Sequence, residues 1–182
     1  MTYYAFIENN QINGVGQVRC LNENILNYEI SQDIFENIEK YIWDGEKHDI
    51  ILNPNYDIEQ LKKAKEEKYF EANEKAKNYL EGGIATFELL PTFHIEATKE
   101  NMNTMTSAAI AIEKGLIEYR PWTSKEDNVL DLTQEQCLTI SMGIGAIQGD
   151  VWNRQYINYK NQIEQAKTIE EIEKIVIDYS NN

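Results

Sequence analysis

The sequence predicts an α+β fold in three parts: a small α+β module over 1–56, a connecting helix over 57–81, and a C-terminal α+β domain over 82–182 with two β-hairpins and helices. Three observations predict this. The first 55 residues are short aromatic and β-branched runs broken by Asn-Asn, Asn-Gly and Asp-Gly pairs, which are turn signals. From Asp57 to Leu80 neither glycine nor proline interrupts a run of interleaved charges. Beyond Gly82-Gly83, hairpin patterns alternate with segments opened by threonine caps.

In the first module, Tyr3 to Ile7 reads as a strand, with Val15 to Cys20 returning beside it after Asn9-Asn10 and Asn13-Gly14. Leu26-Tyr28-Ile30 alternates with Asn27 and Glu29, the pattern of a half-buried strand. Ser31 or Asp33 caps a short helix with Ile34, Phe35, Ile38 and Tyr41 on one stripe. Asp44-Gly45 then turns Tyr41–Trp43 back on His48–Leu52. Asn53-Pro54 ends the module, because Pro54 has no amide hydrogen and holds Asn53 out of helical geometry.

Asp57-Ile-Glu-Gln60 has the spacing of a capping box. Ile58, Leu61, Tyr69, Ala72, Ala76, Tyr79 and Leu80 make a narrow apolar stripe along the helix that follows. Six of the 17 basic residues lie between Lys62 and Lys77, among Glu66, Glu67, Glu71 and Glu74. So thin a stripe under mixed charges suits a solvated connector or a coiled-coil stalk, with Ile58, Leu61 and Tyr69 as contact residues and self-association along the helix.

After Gly82-Gly83, Ile84–Leu90 and Thr92–Ala97 form a hairpin across Pro91, with Phe87, Leu89, Phe93 and Ile95 toward a core. Thr98 caps a helix over 99–114 that buries Met102, Met105, Ala109 and Ile112. Ile117–Trp122 and Asn128–Leu132 form the second hairpin. Thr133 with Gln136 is a capping box for a long helix from 134 to 166, and Thr168 with Glu171 opens a last one carrying Ile169, Ile172, Ile175 and Val176. Trp152, Tyr156 and Tyr159 recur at i, i+4 and i+7 on the long helix. Such a stripe is either core or a partner-binding face, because Trp and Tyr favour interfaces.

At 182 residues the chain can bury a core without disulfide or metal staples. Its 17 basic and 31 acidic residues give a formal net charge of −14, which repels phosphate, so neither nucleic acid nor an anionic membrane is an expected partner. An apolar content of 42% excludes a disordered acidic tail. Cys20 and Cys137 lie far apart with no CxxC spacing and are expected as reduced thiols of a protein folded in a cytoplasm. The first residues lack a signal-peptide pattern, and the purest apolar run, Ala108 to Ile112, is too short to cross a bilayer.

Chemistry is limited by two histidines, His48 and His94, neither in an HxH or HExxH pattern. There is no GxSxG elbow, and neither cysteine neighbours a histidine in sequence. Gly143-Ile-Gly145-Ala-Ile-Gln-Gly149 matches neither phosphate-loop spacing and lies in a helical pattern, where Gly145 and Gly149 admit close packing or a bend. Glu126, Asp127 and Asp131 lack the ligand spacing of a calcium loop. No catalytic residue, cofactor or metal is therefore expected. An enzyme would need a cleft holding His48 or His94 against two carboxylates.

The run from Tyr69 to Ile175 resembles a tail-fibre-associated domain of unknown function common in bacteriophages and prophages. The features that carry the resemblance are the Ala- and Lys-rich helix, Gly83 with the Phe87 and Phe93 hairpin, and Met102…Ala108-Ala109. Trp122-Thr123…Asp127-Asn128…Leu130…Leu132-Thr133 and Ile163…Ala166…Thr168…Ile172 complete it. Tyr28-Glu-Ile-Ser31…Tyr41-Ile-Trp-Asp-Gly45…Asn53-Pro-Asn-Tyr56 is similar to the N-terminal module of small phage tail proteins. The chain departs from the family at Leu90-Pro91, where many relatives have Gly. The resemblance implies a non-enzymatic tail-fibre or baseplate component or assembly factor, made in the bacterial cytoplasm and bound to other tail proteins, and it transfers no catalytic residues. The rival expectation is a phage-encoded acidic inhibitor of a host defence system.

Overall fold

The computed structural model describes residues 1–180 and has the expected mixed architecture. The chain divides into two compact units, Met1–Gln60 and the residues from Leu61 onward.

The first unit starts with β1 (Tyr3–Glu8), which pairs antiparallel with β2 (Gln11–Gly16) on one side and β3 (Leu26–Ile30) on the other. Asn9 and Asn10 have φ of 51° and 64°, the two positive values that a two-residue hairpin turn requires. The chain therefore turns at Asn9-Asn10, and Asn13-Gly14 lies inside β2, which begins at Gln11 and not at Val15. Ser31 caps α1 (Gln32–Glu36), accepting the Ile34 amide at 3.2 Å. A single 3-10 turn follows at Ile38–Lys40, so Tyr41 enters β4 (Tyr41–Asp44) rather than the helix. β4 pairs with β5 (Asp49–Leu52). Ala5, Ile7, Ile30, Trp43 and Ile50 are the core, with the Tyr28 ring edge-on to Trp43 at 5.2 Å. The Tyr28 hydroxyl donates to the Asp49 carboxylate at 2.6 Å, which lowers the pKa of Asp49 and raises that of the phenol.

The long helix α2 (Tyr56–Glu81) starts one residue before Asp57. Its entry is built by Asn53, whose side-chain oxygen accepts the Asn55 amide at 3.0 Å and whose side-chain amide donates to Glu59 at 3.1 Å. Asp57 thus sits in the first turn and not at the cap. The helix is also not a free connector. Ala72, Ala76 and Leu80 are fully buried in the core of the second unit. The stripe is thin because two of its members are alanines, which let neighbouring elements approach the helix backbone. Lys65 and Lys75 reach the carbonyls of Glu164 and Ile177 at 2.7 and 3.2 Å and fasten the helix to the same unit.

Gly83, at φ +72°, ends the helix in the left-handed conformation. β6 (Thr86–Leu90) and β7 (Phe93–Glu96) then form the first hairpin. Thr98 caps α3 (Lys99–Glu113), and β8 (Arg120–Thr123) pairs with β9 (Val129–Leu132). Thr133 and Gln136 make the expected capping box of α4 (Gln134–Gly149). The long helix continues through a π-helical segment, Asp150–Gln155, into α5 (Tyr156–Gln165). Thr168 caps only a short α6 (Ile169–Glu173); beyond it the chain is irregular yet buries Ile175, Ile177 and Tyr179.

Of the glycines in α4, Gly143 is the one at which the helix is approached most closely: a Cβ there would overlap the Phe87 ring. At Gly145 a Cβ would lie 3.6 Å from Met102 Sδ, an ordinary contact. Opposite outcomes are expected for the two alanine variants. Gly143→Ala displaces Phe87 at a cost of about 1–3 kcal/mol that outweighs its helix propensity gain. Gly145→Ala collects that gain, about 0.5–1 kcal/mol, and raises the melting temperature by about 2–4 °C per kcal/mol. Thermal unfolding of both variants checks this.

Candidate functional site

Three regions of the second unit and one set of interface residues bear on function. In the first region, His94 in β7 faces the β8–β9 turn. Its Nδ1 lies 2.7 Å from the Glu126 carboxylate, its backbone amide donates to the same group at 3.0 Å, and its Nε2 is 3.9 Å from Glu88. The histidine thus meets two carboxylates, one of the conditions an enzyme would need. The arrangement, however, joins hairpin to hairpin. Lys125 donates its amide to the His94 carbonyl at 2.9 Å and Asn128 its side chain to the Thr92 carbonyl at 2.9 Å. The nearby hydroxyl, Ser124, is buried and accepts the amides of Glu126 and Asn128. It closes the turn and is not poised against the imidazole.

The His94 amide, ahead of the Ser124 and imidazole contacts, holds the Glu126 carboxyl down to about 2. A depressed carboxyl adds stability that is complete above its ordinary pKa, near 4.3, and is lost as pH falls through about 2. Urea midpoints taken at neutral pH and stepwise into this acid window are expected to fall less steeply for Glu126→Gln than for the wild type.

The second region is the aromatic stripe. Trp152 and Tyr156 stand edge-to-face at 5.4 Å, and Tyr159 meets Tyr179 edge-to-face at 5.3 Å. All three stripe residues are partly buried against the core, as is Tyr69 on α2. Tyr159 and Tyr179 belong to a docking site for the chain's own C-terminal segment. The Tyr159 hydroxyl donates to the Asp178 carbonyl at 2.8 Å and accepts its amide at 3.1 Å. Tyr179, 3% exposed, donates to the Ala72 carbonyl at 3.0 Å. Among the expected contact residues, Ile58 is the one that is open, at 67% exposure, while Leu61 is partly buried.

The third region is the outer side of α3 and α4. A groove of about 640 Å³ runs along α3, with Lys99, Asn103, Thr104, Ser107 and Arg120 among its lining residues. Arg120 Nε is buried without a hydrogen-bond partner among the described residues, and its guanidinium lies 5.9 Å from the Trp122 ring centre. A second concavity, of about 320 Å³, lies beside the π-helical segment. There Asp150 is held by Arg154 and by Gln155, the latter at 2.6 Å, and these bonds lower its pKa. Ile110, Leu138 and Met142 are exposed on the α3–α4 pair. Motif reading passed over these three residues. Their signal is the absence of charge: none occurs from Asn101 to Ile112 or from Gln136 to Gly149.

Cys20 and Cys137 are both free thiols, and burial pushes the Cys137 thiol up. Among the described residues, no group of three or more His, Cys, Asp or Glu is arranged to hold a metal ion, and no helix is long and apolar enough to cross a membrane. Compared with protein-family models, curated proteins and solved structures, the chain matches none.

Proposed function

We propose that this chain is a non-enzymatic phage-type tail protein, a component or assembly factor of the tail fibre or baseplate that works through protein contacts. The observation that carries the contact role is the distribution of exposed large apolar side chains along helix faces, Ile58 and Phe70 on α2 and Leu138 and Met142 on α4. Of these, Leu138 and Met142 lie one turn apart on one face of α4, and contiguous exposed apolar patches mark interaction surfaces. The most strongly perturbed carboxylate, Glu126, has a structural partner that accounts for its shift. The tail assignment itself rests on the resemblance of Tyr69 to Ile175, with Trp122-Thr123 and Asp127-Asn128 as its most specific residues.

Acidic mimicry of nucleic acid, the rival, requires a continuous negative face. The exposed side of α2 interrupts one, because Lys62 and Lys63 pair with Glu66 and Glu67 at 3.9 Å each. Immunodetection of the chain in purified phage particles, and in complexes with the fibre subunit before assembly, tests the proposal. Presence in particles identifies a component, and presence only in the fibre complex identifies an assembly factor. Absence from both overturns the reading.

A further inference from the structure

We propose that the groove along α3 binds a carboxylate, anchored on Arg120 and drawn in by Lys99, with the ligand's apolar body on the floor of the groove. The site goes beyond the contact role proposed above and does not depend on it.

At about 640 Å³ the groove has the size of a small-molecule site. One face of α3 forms its wall, because Glu100, Asn103, Thr104, Ser107 and Ala111 recur at i, i+3, i+4, i+7 and i+11. Most of these side chains are short and leave the space open. Ile117 and Arg120, on the chain that follows the helix, complete the lining.

Arg120 carries the inference. Among the described residues, its Nε is the single buried side-chain nitrogen or oxygen without a hydrogen-bond partner. A charged donor taken out of water with no acceptor has lost hydration that the protein does not return. Such a group calls for an ion or water as its complement. Nε alone of the three guanidinium nitrogens is enclosed in this way, and Arg120 as a whole is partly exposed on the groove. With the group seated 5.9 Å from the Trp122 ring centre, the terminal nitrogens are presented in a fixed orientation.

Charge selects the ligand. Acidic residues outnumber basic ones 31 to 17, yet among the described residues neither Lys99 nor Arg120 is in an ion pair. The lining holds these two cations against one carboxylate, Glu100, an excess of one positive charge that a monoanion neutralises. A phosphate monoester, at about −1.5 to −2, overshoots that excess in a chain whose net charge is −14. The planar guanidinium fork matches a carboxylate. Asn103, Thr104 and Ser107 supply neutral donors beside it, and Ala108, Ala111 and Ile117 an apolar bed.

Titration of the isotope-labelled full chain with butyrate, read by heteronuclear NMR, tests this. The expected result is saturable shifts at the Ser107 amide and the Arg120 Nε–H, with a Kd on the order of 1 mM, within the ceiling for so few atoms. Butyramide, which has the shape without the charge, should bind at least about tenfold more weakly, and inorganic phosphate more weakly than butyrate. Ser107→Asp, a negative charge set in the groove at an exposed position, should abolish saturation. Lys99→Gln should weaken binding and Glu100→Gln tighten it, each by about two- to fivefold, the size of one exposed charge contact. Lys174→Gln, outside the groove, should leave it unchanged. Circular dichroism identical to wild type verifies the fold of each variant. A short alanine peptide with a free C-terminus, compared with its amidated form, separates the sources. Tighter binding of the free peptide than of butyrate makes the ligand the end of a partner chain, and weaker binding makes it a small molecule. No saturation by butyrate, equal binding of butyramide, tighter binding of phosphate, shifts that persist in Ser107→Asp, or Lys99→Gln and Glu100→Gln acting in the same direction overturns the proposal.

Discussion

A chain that begins at Gly82 is expected to lose the cooperative unfolding of the C-terminal unit, not to release that unit intact. Such a chain lacks Ala72, Ala76 and Leu80, all fully buried, and the Lys65 and Lys75 bonds to the carbonyls of Glu164 and Ile177. It also strips the α2 surface from Tyr179, Ile177 and Tyr159. Leu80→Ala in the full chain isolates part of the loss and should cost about 2–5 kcal/mol, the range for truncating a buried leucine. Typical domains hold only about 5–15 kcal/mol in reserve, so removing the whole helix exceeds what the unit can bear. Urea unfolding followed by circular dichroism decides the matter. A chain that begins at Leu61, where the second unit starts, should keep a sigmoidal transition. A sharp transition in the Gly82 chain would show that α2 is a connector after all.

The second large effect is expected at Tyr179. Its ring packs between Tyr79, with centroids 6.4 Å apart, and Tyr159 at 5.3 Å, and its hydroxyl reaches Ala72 on α2. Tyr179→Ala removes a buried aromatic and should cost about 3–5 kcal/mol. Tyr179→Phe keeps the ring and forfeits one hydrogen bond, about 0.5–1.5 kcal/mol. The Ala72 carbonyl, in mid-helix, keeps its helical partner. Burial raises the Tyr179 phenol well above its ordinary pKa of about 10. For a group raised in the folded state, the stability it adds is complete below that ordinary value and is lost as pH climbs beyond it. Wild type should therefore weaken in alkali from about pH 10 upward, and Tyr179→Phe should weaken less steeply. Tyr69, also raised by burial, contributes with Tyr28 and Tyr41 to the alkaline sensitivity that the variant retains. Equal slopes for the two proteins would remove Tyr179 from the account.

Both effects arise where periodicity and caps were legible but partners were not. Thr98, Thr133 and Thr168 were readable as caps because a cap is a local hydrogen bond closed within three residues. Turns were readable as a class, yet the choice between Asn9-Asn10 and Asn13-Gly14 depended on which register buries Ala5 and Ile7. Interface residues fared differently. Trp152, Tyr156 and Tyr159 have the composition of a binding face, and what covers Tyr159 is a segment about twenty residues further along the same chain. His94 gave no motif because its partner Glu126 is 32 residues away.

By itself, the sequence determined the α+β class, the order of nearly every helix and hairpin, the threonine caps of three helices, and an acidic composition with no apolar run long enough for a membrane-spanning helix. Each of these depends on local spacing, composition or hydrogen bonds within one turn, which neighbouring residues decide. Only the tertiary structure decided that α2 is core in its second half, that the aromatic stripe seats the C-terminal segment, and that Gly143 rather than Gly145 is the tight contact. Those facts rest on contacts between residues 19 to 107 positions apart, and a long-range contact is chosen by the packing of the whole unit, to which no local pattern has access.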